Sequence, residues 1–267
     1  MLFDSHTHVN FKDFDADRDA VIQRCLDADI WMINVGTDVA YSKKAIEIAH
    51  AYQEGVYASI GIHPVRDEIS NGVHPNDLDD ADFSAIENMA GDEKVVAIGE
   101  TGLDYFRIVG DEVRAKEKQK ELFMKHVELA KKLQKPLIIH CRDAHDDLIE
   151  ILVSCFKFHV SGPRGVMHFF TGTREDAQKY LDLGFHLSFS GVLTFTHDYD
   201  ELVRWAPLGK IVVETDAPFV APMPYRGKRN EPSYVKYAAQ RIADIKGLSL
   251  EEVAMQTTQS ARELFMV

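Results

Sequence analysis

Val95-Val96-Ala97-Ile98-Gly99-Glu100 and Pro136-Leu137-Ile138-Ile139-His140-Cys141 are two short apolar runs with the segment 112–134 between them. Each run has the length and composition of a buried strand. The segment between them has helical spacing, with Leu122, Phe123, His126, Val127, Leu129 and Ala130 on one face. Strand, helix and strand in this order form the crossover unit of a parallel sheet.

The same alternation extends in both directions. Further strands are expected at 2–9, 31–36, 56–63, 165–170, 185–190 and 211–215, and further helices at 17–28, 39–53, 143–156 and 173–182. Eight strands in 267 residues favour a closed (β/α)8 TIM barrel over an open doubly wound sheet. The expectation is a single domain over 1–267 with an additional C-terminal helix at 249–264. Ser249 followed by Glu252 gives that helix a capping-box start. Two connections, 64–76 and 217–231, are long for a compact domain and fall at the C-terminal face, where this fold places its active sites.

The formal charge of −13 argues against a protein that coats nucleic acid through a broad positive field. An enzyme acting on nucleic acid at a metal site stays open, because bound cations reverse the sign locally. The N-terminal residues have no leader pattern and no apolar run approaches a membrane span, so no membrane partner and a cytoplasmic location are expected. Cys25, Cys141 and Cys155 are odd in number and lack metal or redox spacing, so reduced thiols are expected.

Asp4-Ser5-His6-Thr7-His8 lies on the first strand. Alternation places Asp4, His6 and His8 on one face, and two imidazoles two residues apart can share a cation. Ligand-type groups recur at the ends of other strands: Glu100, His140, His168 and Asp216. Such groups converging in a barrel mouth would be expensively desolvated without a neutralising cation. Four imidazoles and two carboxylates suffice for two divalent ions, with Glu100 placed to bridge, and a two-metal site can activate water. Mg2+, Mn2+ and Zn2+ are the candidates, imidazole favouring zinc, manganese or nickel over magnesium. By parity Arg142 shares a side with His140 and Glu214 with Asp216, while Asp104 lies just past Glu100; these three are expected to support the ligands. Cys141 is expected to point away and pack. His63 ends the third strand and is placed either to contact substrate or to anchor its loop.

These residues sit in Asp4-Ser5-His6-Thr7-His8, Gly61-Ile62-His63-Pro64, Gly99-Glu100-Thr101-Gly102-Leu103-Asp104-Tyr105 and His140-Cys141-Arg142-Asp143-Ala144. They continue in His168-Phe169-Phe170-Thr171-Gly172, Glu214-Thr215-Asp216-Ala217-Pro218 and Arg226-Gly227-Lys228-Arg229-Asn230-Glu231-Pro232, with Ala261-Arg262-Glu263-Leu264-Phe265 near the end. In that order, over nearly the whole chain, the motifs resemble the TatD-family deoxyribonucleases among the amidohydrolase-like metal hydrolases. Phe169 stands where that family often has cysteine. The resemblance implies a TIM barrel and metal-dependent hydrolysis of DNA phosphodiester bonds, from the 3′ end of single strands. It also implies that His6, His8, Glu100 and Asp216 hold one ion and that Glu100, His140 and His168 hold the other. Asp216 would orient the attacking water and accept its proton, making Asp216 and Glu100 the catalytic pair.

With that resemblance, the cations of Arg226, Lys228 and Arg229, together with Asn230 and His63, are read as contacts to substrate phosphate. Phe106, Phe219 and Tyr225 are candidates to stack on bases. Two other readings stay open: an amide or ester hydrolase, such as an aminoacyl-tRNA deacylase, and a metal-binding scaffold without catalysis. The sequence identifies no protein partner.

Overall fold

The computed structural model describes residues 1–65, 80–106, 108, 110–156 and 164–267. Eight parallel strands close into a barrel in sequence order, β1 to β8. They are β1 (Leu2–Thr7), β2 (Ile30–Val35), β3 (Val56–Ile60), β4 (Val95–Asp104), β5 (Leu137–Arg142), β6 (Gly165–Met167), β7 (His186–Phe189) and β8 (Ile211–Val213). The helices between them are α1 (Arg18–Asp27), α2 (Val39–His50), α3 (Asp80–Met89), α4 (Glu112–Leu133), α5 (His145–Phe156), α6 (Arg174–Asp182) and α7 (Asp200–Trp205), and α8 (Val235–Lys246) follows β8. The expected long connection 64–76 lies outside the described residues from 66 onward. No helix among the described residues is long and apolar enough to cross a membrane.

The additional helix α9 (Leu250–Phe265) begins with the capping box read from the sequence, Ser249 and Glu252 bonding reciprocally. Its Ala261, Leu264 and Phe265 join Phe3, Ile33, Val35, Val96, Ala97, Ile138, Val166 and Val212 in one buried apolar cluster. The Phe3 ring stacks on Phe265 at 6.2 Å and on Tyr57 at 6.3 Å. That cluster fills the N-terminal end of the barrel and leaves the other end to polar side chains. The larger apolar cluster, including Met32, Ile60, Phe123 and Tyr180, lies between strands and helices.

Two strands depart from the simple alternation. β1 shifts register against β2 between Asp4 and Thr7. Asp4 therefore does not join the histidines, a correction to the parity argument: its carboxylate accepts from the Thr215 amide at 2.8 Å and the Thr215 hydroxyl at 2.6 Å. β4 runs on to Asp104, with a register shift against β5 between Ile98 and Thr101. Glu100 thus sits in mid-strand at the irregularity and does not close the strand. Gly99 and Gly102 flank this point because any side chain there would run into the β5 carbonyls of Ile138 and His140.

Candidate metal centre

The expected ligand set meets at one place at the C-terminal ends of the strands. His6 Nε2 and His8 Nε2 are 3.0 Å apart. Glu100 Oε2 lies 3.4 Å from His6 Nε2 and 3.7 Å from His8 Nε2. Asp216 Oδ1 lies 3.5 Å from His8 Nε2, 3.8 Å from His6 Nε2 and 4.0 Å from His168 Nε2. The other Glu100 oxygen, Oε1, faces His140 Nδ1 at 3.2 Å, His63 Nε2 at 3.4 Å and His168 Nε2 at 3.8 Å. His6, His8, Glu100 and His168 are buried.

Local backbone sets these directions. β8 ends at Val213, and Asp216 adopts φ +57° while its amide donates to the His6 carbonyl at 2.9 Å. A non-glycine residue in that region is uncommon and marks a constrained turn. His168 follows β6 directly, with Phe169 at φ +46°.

Most of the imidazoles are oriented through their other nitrogen. His8 Nδ1 donates to the Val35 carbonyl at 2.9 Å. His168 Nδ1 bonds Glu214 Oε2 at 3.0 Å, and Glu214 Oε1 also accepts from the Phe169 amide at 2.8 Å. His140 Nε2 bonds Asp104 Oδ2 at 2.9 Å. His6 Nδ1 has no such partner among the described residues, and its ring is held instead by stacking on His168 at 3.5 Å. Outer partners of this kind fix tautomer and ring orientation at metal centres and free the opposite nitrogen to act as a ligand. Glu214 and Asp104 both occupy such outer positions.

The charge balance of the cluster shows what would satisfy it. Burial, helped by the nearby His168, pushes His6 down to about 4. Burial opposes charge on His168 too, but Glu214, Glu100 and Asp216 outweigh it and push that imidazole up to about 10. Burial raises Glu100, yet His63, His6 and His140 hold it well below the ordinary carboxylate range. Burial likewise opposes the Asp216 carboxylate, and His8, His168 and His6 bring it below its ordinary value. A donor set of inward imidazole nitrogens and two low-pKa carboxylates, each within 4.0 Å of a neighbour, fits divalent ions. Among the described residues, three groups have ligand atoms within 4.8 Å of one another: His6–His8–Asp216, His6–His168–Glu214 and His63–Glu100–His140.

A cavity of about 600 Å3 opens over the cluster, lined by Phe11, His63, Arg142, Phe169 and Phe219 among others. His63 anchors its loop, with Nδ1 accepting from the Val65 amide at 3.0 Å, and at the same time turns Nε2 towards Glu100. Arg142 is exposed on the cavity side. Cys141 borders the cavity, but its Sγ lies 3.4 Å from His145 Nδ1 and the residue packs against the apolar layer between strands and helices, as expected for a side chain turned away from the ligands.

The loop after β8 divides. Arg226 and Lys228 are exposed. Arg229 is not a free cation: it forms two bonds to the Asp17 carboxylate, at 2.7 and 2.8 Å, and one to Glu231 at 3.2 Å. Asn230 is fully buried, and its amide nitrogen donates to the Thr215 and Phe219 carbonyls at 2.8 and 2.7 Å. Both side chains fold the loop instead of reaching outward, which corrects their reading as phosphate contacts. Tyr225 is stacked on Tyr234 at 4.2 Å, so one of its faces is already covered. Sequence reasoning missed Phe11, which stacks on the His8 ring at 4.4 Å, although it lies only three residues on. It also missed the Val35 carbonyl, for which no side-chain signal exists.

A closed parallel barrel with this cluster at the C-terminal ends of its strands defines a metal-dependent hydrolase. The family model described as TatD related DNase matches residues 3–266, and the chain belongs to the TatD family. A Bacillus subtilis (strain 168) protein named an uncharacterized metal-dependent hydrolase is 40% identical over 270 residues, covering all of both chains. A Pantoea ananatis protein named 3′-5′ ssDNA/RNA exonuclease TatD is 30% identical over 272 residues, covering 99% of each. The crystal structure of an Escherichia coli K12 TatD homolog, YjjV, superposes with a TM-score of 0.86 at 26% identity, covering 100% of this chain and 98% of that one.

Proposed function

We propose that this protein hydrolyses phosphodiester bonds in DNA, removing nucleotides from the 3′ end of single strands, with two divalent cations in the barrel mouth. The observation that carries the proposal is the division of donors about Glu100: His6 and His8 approach one of its oxygens, His63 and His140 the other. His6, His8, Glu100 and Asp216 would hold one ion. Glu100 and His140 would hold the second, with His168 and His63 both near the shared Glu100 oxygen. Divalent ions supply Lewis-acid polarisation of the phosphoryl group and a stronger water nucleophile at neutral pH.

The protein's own groups do the rest. Asp216, part-buried and held ionised by the histidines beside it, orients water at its free oxygen and takes the proton as attack proceeds. Glu214 keeps His168 fixed, and Asp104 keeps His140 fixed. Arg142 and Arg226 supply donors for phosphate oxygens outside the reacting centre. The name of the Pantoea relative supports a single-stranded substrate.

The test runs labelled single-stranded DNA, the matching RNA and an aminoacyl ester in parallel, with and without added Mn2+ or Zn2+. DNA shortened from the 3′ end only with metal is the expected result. Ester cleavage with intact DNA would move the activity to the deacylase class, and no hydrolysis of any substrate by metal-loaded protein would leave a scaffold.

A further inference from the structure

Several arginines of this acidic chain are paired with carboxylates: Arg18 with Asp15, Arg24 with Glu231, Arg229 with Asp17 and Arg241 with Asp200. Two arginines near the barrel mouth are arranged differently. The Arg142 guanidinium lies 3.6 Å over the Phe106 ring, and that of Arg226 lies 4.1 Å over the Phe195 ring. Phe106 is 54% exposed and Phe195 40% exposed, high values for a side chain that gains by burial. Arg229 also lies over a ring, Phe14 at 4.4 Å, but that ring is fully buried and the guanidinium is held by Asp17; the looser contact of Arg262 over Trp31 at 5.0 Å lies at the opposite end of the barrel. Neither mouth arginine has a carboxylate partner among the described residues; the hydrogen bond shown for the Arg226 guanidinium goes to the Ala221 carbonyl at 3.2 Å.

Both pairs rest on fixed backbone. Arg142 ends β5 opposite Asp104 on β4, and the Tyr105 amide donates to the Arg142 carbonyl at 2.9 Å. The Phe106 amide donates to Asp104 Oδ1 at 2.9 Å, while the other oxygen of that carboxylate holds His140. In the second pair, Phe195 follows the short 3-10 turn Gly191–Thr194, and Thr194 Oγ1 accepts from the Met223 amide at 2.9 Å, tying that turn to the loop that carries Arg226. One pair thus stands where β4 and β5 end, the other beyond β7 and β8, with the cluster between these strand ends.

We propose that these two arginine–phenylalanine pairs are nucleotide subsites that grip a single strand on either side of the reacting phosphate. Each pair joins a flat, exposed stacking surface to cationic N–H donors. A nucleotide carries the complementary parts, a flat base and a phosphate. The bases of a duplex are already stacked and offer no free faces, so the ligand is an unpaired strand at least two nucleotides long. This inference rests on the phosphodiesterase reading and adds where the strand is held.

The test compares a single-stranded oligodeoxynucleotide with an abasic chain of equal length that keeps the sugar-phosphate backbone. The metal-loaded wild type is expected to show a KM for the base-bearing chain lower by about tenfold or more, the scale of a stacked base. Phe106→Ala with Phe195→Ala should raise KM for the base-bearing chain alone and close that gap. Phe106→Tyr with Phe195→Tyr should restore it. Arg142→Gln and Arg226→Gln should raise KM for both chains, and Arg204→Gln, on an exposed pair with Glu201, should raise neither. Equal KM values for the two chains in the wild type, or equal losses on both in the double alanine variant, would overturn the subsites. Fluorescence anisotropy of the same labelled chains separates this idea from the activity it rests on. Chains bound with base discrimination but not cut would sink the hydrolase reading and keep the subsites. Chains cut without base discrimination would sink the subsites alone.

Discussion

The two ends of the barrel are built from the same strands and solve opposite problems. At the N-terminal end, Phe3, Ile33, Ile138, Val166 and Val212 meet the apolar end of α9 and exclude water. A few residues further along the same chain segments stand His6, His140, His168 and Glu214. The first end gains free energy by burial. The second concentrates imidazoles and carboxylates that burial disfavours and that cations would satisfy. The fold can carry the second end because the first end, and the helices packed around the strands, supply the stability. Substitutions at the two ends should therefore fail in different ways.

The largest effect is expected at the apolar end. Phe3 is fully buried between the Phe265 and Tyr57 rings. Phe3→Ala should cost roughly 3–5 kcal/mol, the range for a phenylalanine lost from a core. Chemical denaturation would read this as a lower midpoint at unchanged slope. Hydrolysis by the fraction still folded should keep its metal dependence. A midpoint equal to wild type would show that α9 does not seal the barrel.

A comparable change is expected on acidification, through a histidine behind the polar end. His126 on α4 is fully buried; its Nδ1 donates to the Leu122 carbonyl at 2.8 Å and its Nε2 accepts from the Ile62 amide at 3.1 Å, next to His63. Burial, the dominant cause, pushes it from 6.5 down to about 4. The unfolded chain therefore takes up this proton first, and stability falls as pH drops from 6.5 towards 4. The full shift corresponds to about 3 kcal/mol. His126→Gln, which carries no such proton, should flatten that part of the stability–pH curve. An unchanged slope in the variant would remove His126 from the account.

Asp216→Asn should lower turnover by about two orders of magnitude or more, the usual scale for general acid–base work. Its unfolding midpoint should move little, since Asp216 is only part-buried at the mouth. Metal content measured on the same sample separates loss of the proton acceptor from loss of an ion. Near-wild-type turnover with metal bound would refute the assigned role. The smallest effect separates two neighbours on one loop. Arg229→Gln should lower stability by up to about 1 kcal/mol, as expected for a partly exposed ion pair. It should leave the salt dependence of DNA binding as in the wild type, whereas Arg226→Gln should flatten the log–log slope by about 0.7. Identical slopes for the two variants would erase the distinction between them.

Particular residues show why some features are legible in the sequence and others are not. The eight strands and the type of residue near each strand end are legible because apolar periodicity and ligand chemistry are both local. The C-terminal helix is legible from Ser249 and Glu252 alone. Parity misplaces Asp4 because a register shift within β1 breaks the alternation, and no residue type announces it. Glu100 reads as a strand end because Gly99 and Gly102 mimic a terminus, while the sheet uses them to bring β4 close to β5. Arg229 and Asn230 read as substrate contacts because the partners that claim them are remote or backbone: Asp17 lies 212 residues away, and Asn230 bonds carbonyl oxygens. Arg226 and Arg229 look alike in the sequence. They differ through Asp17 on one side and Phe195 on the other, both contacts between separate segments of the chain.

The central claim is that the polar end works by holding divalent cations. Its most direct test measures metal content and single-stranded DNA hydrolysis on one sample, before chelation, after chelation and after stepwise return of Mn2+ or Zn2+. Activity should vanish as metal leaves, return in proportion to metal regained, and saturate at about two ions per chain, as a two-metal site requires. Full hydrolysis by protein verified to be metal-free would contradict it.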